Sequence, residues 1–284
     1  MRVGAPPTSL KSETKPYLRW AGSKRKLLPE ISRYWKSEFL RYVEPFAGSC
    51  CLFFKLAPQE AVLADKNVEL IETHEMVRDE PQSLFAAFTA LPRNKSTYLY
   101  LRGQNPNRLS KLRRAVRFLY LNRNCFNGIF RTNRSGQFNV PWSGTRTGQY
   151  PTWRDFQQAS KLLQAAELRP WDFGTTLRHC RAGDFVYLDP PYAVSGQRVF
   201  AEYGLKMFSS DDLERLKEHL SKLDARGVHF LVSYLDSDEG QWLATEWEMR
   251  SVMVRRQVAS FSDARRNVAE LMISNYEPEE AEYA

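Results

Sequence analysis

Short apolar runs that stop at a polar or proline residue recur along this chain, and helical periodicity fills the gaps between them. Residues 41–45, 61–65, 167–171, 186–188 and 228–234 read as strands, with 246–258 and 268–275 as closing strands. Continuous apolar runs of this length, bounded by turn residues, suit strands buried on both faces. Helices are predicted at 27–39, from Cys51 to Leu56, and at 156–166 and 208–223, the last opened by a Ser209-Ser210-Asp211 cap. After the second strand the rhythm changes. Helical patterns at 70–78, 81–90 and 109–121 lead into an Asn-, Arg- and aromatic-rich segment. There Ser135-Gly136, between two short alternating runs, signals a hairpin. The order predicts a doubly wound α/β body, 16–68 and 166–284, interrupted by a helical and hairpin insert, 69–165. A polar lead-in, 1–15, is read as disordered and is too polar for a secretory signal.

Candidate chemistry collects where strands end. Asp189-Pro190-Pro191-Tyr192 follows the 186–188 run, and two prolines stop the strand because they donate no N–H and fix φ. A carboxylate, a carbonyl and an aromatic ring are thereby held at a strand's carboxyl end, where open α/β sheets bind ligands. Two acceptors could hold both N–H bonds of an exocyclic amine, and Tyr192 could stack on a base. A Pro-Pro turn with a capping Asp is the plainer explanation of these four residues alone. Residues 41–45 lead into Phe46-Ala47-Gly48-Ser49-Cys50 and a helix, a nucleotide-binding arrangement with one glycine only. Asp65 lies 17 residues beyond Gly48, near the roughly 20 expected of an acid gripping ribose hydroxyls. Tyr17 to Lys26 makes a small-residue turn between aromatic and basic residues, which could bind an anion or be an ordinary turn.

Charge sharpens the picture. The chain carries a net +8, yet between residues 81 and 154 it has 13 Lys and Arg and no Asp or Glu, leaving the remainder at −5. A polyanionic partner is the expectation. Arg, Asn and aromatic residues interleaved at 122–142 are the side chains that read base edges or wedge between them. No G-x-x-x-x-G-K-[ST] loop is present, which argues against nucleotide triphosphate hydrolysis. The four cysteines make no C-x-x-C pair, the four histidines are scattered, and no metal is expected. No apolar run approaches the ~18 residues of a membrane span.

Together these motifs resemble the Dam-type DNA adenine-N6 methyltransferases, from Tyr17 to Tyr276. RWAGSK (19–24), VEPFAGSC, LADKN, FLYLNRNCFNGIFRTNRSGQFNVPW, GDFVYLDPPY and FSDARRNVAELMISNY occur in the family's order. The resemblance implies a Rossmann-like catalytic domain with an inserted DNA-recognition domain, and base flipping. It implies S-adenosylmethionine as methyl donor, S-adenosylhomocysteine as product, and GATC in duplex DNA as the target. Carried over by position, Asp189, Pro190, Pro191 and Tyr192 would bind the flipped adenine. Trp20, Ala21, Gly22, Lys24, Glu44, Pro45, Phe46, Gly48, Asp65, Asp172, Phe173 and Asp189 would line the cofactor site. Arg19, Phe126, Asn127, Ile129 and Arg131 would read or part the base pairs, and Arg134 and Arg146 would hold phosphates. Arg123, Asn133, Asn139 and Pro141 complete the implied DNA-binding set.

The sequence departs from the family at Cys50, which replaces the second glycine of the turn and is expected to crowd the cofactor. It departs also at Ser23, at Ser233-Tyr234 in place of Ser-Asn, and at Trp142-Ser143-Gly144. An RNA methyltransferase and a catalytically decayed DNA-binding homologue are the competing functions. The expected setting is a cytoplasmic, nucleoid-associated monomer of bacterial or phage origin, with a restriction endonuclease as a partner to test for.

Overall fold

A computed structural model describes residues 14–133, 135–144, 149–193, 208–257 and 265–278. The predicted lead-in falls almost wholly outside these residues, as do Arg134 and Arg146. One mixed sheet forms the centre: β1 (Arg41–Glu44), β2 (Ala61–Ala64), β3 (Ala166–Arg169), β4 (Asp184–Leu188), β5 (His229–Leu235), β6 (Glu248–Gln257) and β7 (Arg265–Ser274), in the order β3-β2-β1-β4-β5-β7-β6. The first five are parallel. β7 runs antiparallel between β5 and β6. The chain therefore builds outward from β1 in one direction and from β4 in the other. Their carboxyl ends part at this switch point, which opens a crevice.

The period of two decides what packs on each face. Tyr42, Phe185, Tyr187 and Leu231 point to one side. Val43, Val186, Leu188 and Val232 point to the other, onto α8 (Phe173–Arg178) and α9 (Ser210–Asp224). Ten α-helices occur among the described residues. α1 (Leu28–Ile31) and α2 (Cys51–Leu56) flank β1; α10 (Asp238–Ala244) follows β5. The long connection between β2 and β3 holds α3 (Val68–Asp79), α4 (Pro81–Thr89), α5 (Lys95–Gly103), α6 (Lys111–Asn124) and α7 (Trp153–Leu163).

The predicted helix at 27–39 is broken. A 3-10 turn at Arg25–Leu27 precedes the single turn α1, a second spans Ser32–Tyr34, and Trp35 is extended with ψ of 125°. Trp35 and Phe39 are thereby freed to pack edge-on and face-on against Phe185, at 5.6 and 5.4 Å, so aromatic burial outweighs helix continuation. No described helix is long and apolar enough to cross a membrane.

Candidate active site

The turn after β1 is held from several sides. Gly48 has φ of +46°, and a Cβ there would lie 2.7 Å from Trp20 Nε1, so glycine is needed both for the conformation and for the approach. The Gly48 carbonyl accepts from His74 Nε2 at 2.9 Å, while Tyr17 OH donates to Nδ1. Burial drives His74 down to about 4, so the ring is neutral in this arrangement. Asp65, closing β2, accepts from Gly48 N at 3.3 Å and Asn67 N at 2.9 Å, against which burial pushes its carboxyl up. Cys50 also adopts the left-handed conformation, φ 54°, at a cost of about 1–2 kcal/mol for an L-residue. Its buried thiol turns to His74, Sγ to Nε2 3.6 Å, and does not line the cleft. The strained backbone thus sends the Cys50 side chain into the core.

Beside the turn stands an aromatic pair, Phe46 on Phe173, 5.4 Å apart and 27° from parallel. Asp172 caps α8 through Gly174 N at 2.9 Å and pairs with Arg215 at 2.9 Å. The Arg215 guanidinium also covers the outer face of Phe173 at 4.2 Å. No motif marks Arg215, because it sits on α9 far from any signature.

At the end of β4, Asp189 Oδ1 meets Lys24 Nζ at 3.2 Å and accepts from Ser233 Oγ at 3.3 Å. Ser233 in turn contacts Tyr187 OH at 3.0 Å. Lys24 Nζ reaches Glu270 Oε2 at 2.6 Å and Tyr192 OH at 2.5 Å. Tyr234 explains its own departure from the family: its hydroxyl accepts from Ala193 N at 2.7 Å and its ring meets Tyr192 edge-on at 5.1 Å. It thereby steadies the chain just after the tetrapeptide. Glu44 is buried nearby, accepts from Tyr42 OH at 2.9 Å, and is pushed well up by burial.

The fourth wall comes from the insert. Asn122 receives Arg19 N at 2.9 Å and donates to Arg19 O at 2.5 Å, while a Cβ on Gly128 would meet Arg19 Cβ at 2.6 Å. The loop bearing Trp20 is thus fastened to the end of α6 and the turn that follows it. Phe126 is 43% exposed and Asn127 is left-handed, φ 54°. The hairpin forms as bonds rather than as full strands: Asn133 N to Gln137 O at 2.8 Å, Asn139 N to Arg131 O at 3.0 Å, and a Thr132–Phe138 bridge. Trp142 pairs with Cys125 at its base and packs on Tyr98 at 5.3 Å.

These pieces line one cleft of about 2850 Å³. It gathers Asp189 to Tyr192, all eleven other residues implied for the cofactor, and Arg19, Phe126, Asn127, Ile129, Asn133 and Asn139. Three residues of the DNA set lie elsewhere. Arg123 is buried, donates to Gln149 O, and is lowered to about 10 by burial and the nearby Arg19. Arg131 Nε donates to Asn139 Oδ1 at 2.8 Å, and the Pro141 carbonyl accepts from Phe126 N at 3.0 Å. The acid-free stretch is also less naked than its composition suggests. Lys111, Arg114 and Arg117 on α6 pair with Glu75, Glu72 and Glu69 on α3, at 2.7, 2.7 and 3.0 Å.

Residues 20–258 match the sequence profile of the D12 class N6 adenine-specific DNA methyltransferases. The chain belongs to that family. It is an adenine-specific DNA methyltransferase, and the family implies use of S-adenosylmethionine. The methyltransferase is 32% identical over 275 residues to a type II methyltransferase of Lactococcus lactis, covering 94% of this chain and 97% of that one. It is 32% identical over 270 residues to the DNA adenine methylase of Escherichia coli, covering 92% and 95%. The Vibrio cholerae DNA adenine methylase is 30% identical over 262 residues, with 90% and 94% covered.

Proposed function

We propose that this methyltransferase transfers a methyl group to N6 of an adenine turned out of duplex DNA, within GATC. The observation that carries the reading is the meeting of Asp189, Tyr192 and the Gly48 turn across one cleft, with exposed Phe126 on its rim. The residues present fit S-adenosylmethionine. The pocket has an anionic end at Asp65 and an aromatic end at Phe46 and Phe173, suited to ribose hydroxyls and adenine. Between these ends Trp20 packs directly on Gly48, where a Cβ would meet its Nε1 at 2.7 Å. Ala21, Gly22, Pro45 and Asp172 complete this proposed wall.

When bound, the cofactor supplies an electrophilic methyl on a sulfonium and departs as S-adenosylhomocysteine. The chain's own residues do the rest. The Asp189 carboxylate and the Pro190 carbonyl accept the two N–H bonds of the target amine, which aims the nitrogen lone pair along the cleft. Tyr192 stacks on the extruded base, and Pro191 keeps the turn from joining a helix. N6 gains the methyl and sheds one proton along the hydrogen bond to Asp189. Rate then comes mainly from orientation, so Asp189→Ala is expected to lose roughly a hundredfold or more. Phe126 fills the space the base leaves. Asn127 faces base edges, the task for which amide side chains suit adenine, while the amides of Asn133 and Asn139 brace the hairpin that carries them to the DNA.

The division into a catalytic body, 16–68 and 166–284, and a recognition insert, 69–165, belongs to this proposal, as do monomeric action and a cytoplasmic setting. A restriction partner is the second reading, favoured by the likeness to a type II methyltransferase. The test is methylation of unmethylated plasmid with labelled S-adenosylmethionine, read by nucleoside mass spectrometry and GATC-sensitive digestion. N6-methyladenine with protected GATC supports the whole reading. Methyladenine without protection discards the target and keeps the chemistry. DNA binding with no transfer discards the chemistry, and faster transfer to duplex RNA replaces the substrate.

A further inference from the structure

Beneath the Asp189 tetrapeptide lies a charged group that the reaction so far leaves unused. Glu270, on β7, has a side chain only 1% exposed. It pairs with Lys24, whose side chain is 5% exposed, and the two stand 246 residues apart in sequence. Burial of an ammonium without anionic partners is prohibitive. Here it has Glu270 at 2.6 Å, Tyr192 OH at 2.5 Å and Asp189 at 3.2 Å, with the Tyr192 ring centroid at 5.0 Å. Tyr192 OH also reaches Glu270 Oε2 at 3.4 Å.

The distances rank the carboxylates: Glu270 is the nearer anchor and Asp189 the farther. We propose that Glu270 is a positioning residue of methyl transfer, holding the Lys24 ammonium back so that it orients Asp189 and Tyr192 without capturing the carboxylate that the target amine needs. The proposal rests on Asp189 being the acceptor of that amine.

The electrostatics follow from one cation shared by two anions. Without Glu270, Lys24 would close on Asp189 and compete with the amine for its lone pairs. Without Lys24, two carboxylates that both lie within 3.2 Å of one nitrogen would lose the cation they share. Among the described residues, Glu44 from β1, Tyr187 on β4 and Ser233 from β5 also face this spot. Glu44 is pushed up by burial, and Tyr187 and Ser233 act as hydrogen-bonding hydroxyls.

The test is single-turnover methylation as a function of pH for Glu270→Gln, Lys24→Met and the double variant. S-adenosylhomocysteine calorimetry and thermal midpoints are read on each. Glu270→Gln should be slower on its plateau with unchanged S-adenosylhomocysteine affinity, and its acid limb should move to lower pH. Lys24→Met should fall roughly a hundredfold at neutral pH, with its acid limb moved up, and the double variant should recover about tenfold of that loss, because contacting groups are not additive. A double variant no faster than Lys24→Met, or an unmoved acid limb in Glu270→Gln, overturns the proposal. Should Lys24→Met not fold, the limb of Glu270→Gln alone decides. An Asp189→Ala variant that still turns over would refute the underlying reading of Asp189 instead.

Discussion

His74 makes the stability of the Gly48 turn depend on pH in a way that can be worked out from its contacts. The ring is wholly buried, donating through Nε2 to Gly48 O at 2.9 Å and accepting at Nδ1 from Tyr17. Protonation would place a second donor against the Tyr17 hydroxyl and a charge in an apolar core, and burial lowers the group to about 4. The unfolded chain holds its histidine near 6.5. Between these values the unfolded state binds the extra proton, so stability rises with pH across this window. His74 thus costs almost nothing above pH 7, about 2 kcal/mol at pH 5 and about 3 kcal/mol at pH 4. Glu44 works in the opposite sense, since burial raises it and the folded state holds its proton longer. The contribution must therefore be read as a difference. His74→Gln keeps a donor and an acceptor but does not titrate. Urea unfolding of both proteins from pH 5 to 7.5 should give curves that converge on a constant offset above pH 7. The parent should lose about 2 kcal/mol relative to the variant by pH 5. Parallel curves would show that His74 is not held neutral by this core, and the argument would fail.

Other expectations are open to equally direct measurement. Gly48→Ala must displace Trp20 and adopt φ of +46°, which should cost about 2–4 kcal/mol and weaken S-adenosylhomocysteine binding; an unchanged thermal midpoint and affinity would contradict it. Asp65→Ala should reduce that affinity roughly 10–100-fold in calorimetry, the value of hydrogen bonds to a charged group, with DNA affinity unaltered. Arg41→Met leaves the fully buried Asp184, now bonded at 2.7 Å, with the Arg181 backbone N–H and a distant Arg181 side chain. Denaturant titration should show a loss of about 3 kcal/mol, and Arg41→Met/Asp184→Leu should recover part of it.

Strand ends were legible in the sequence because each apolar run of the parallel sheet stops at a proline, glycine or carboxylate. Asp65, Asp189 and the Gly48 turn could be placed in one crevice on that basis alone. The position of β7 was not legible, since nothing in an alternating run tells which neighbour it will have. Glu270 was missed with it. The pairing of three cations in the acid-free stretch was not legible for a related reason: Glu69, Glu72 and Glu75 lie ahead of that stretch, and only the packing of α3 on α6 turns them toward Lys111, Arg114 and Arg117. Arg123 resembled a DNA contact by composition, but it follows Asn122 on the inward face of α6 and is buried against Tyr150.

The insertion of β7 between β5 and β6 has a consequence for how the enzyme is made. A ribosome releases Lys24 long before Glu270, and until β7 emerges, β5 presents an open edge and the lysine lacks its nearer carboxylate. Ordering of the catalytic pocket is thus delayed to the last stage of synthesis, and nascent chains stalled before Arg265 should bind chaperones through that edge and show no methyl transfer.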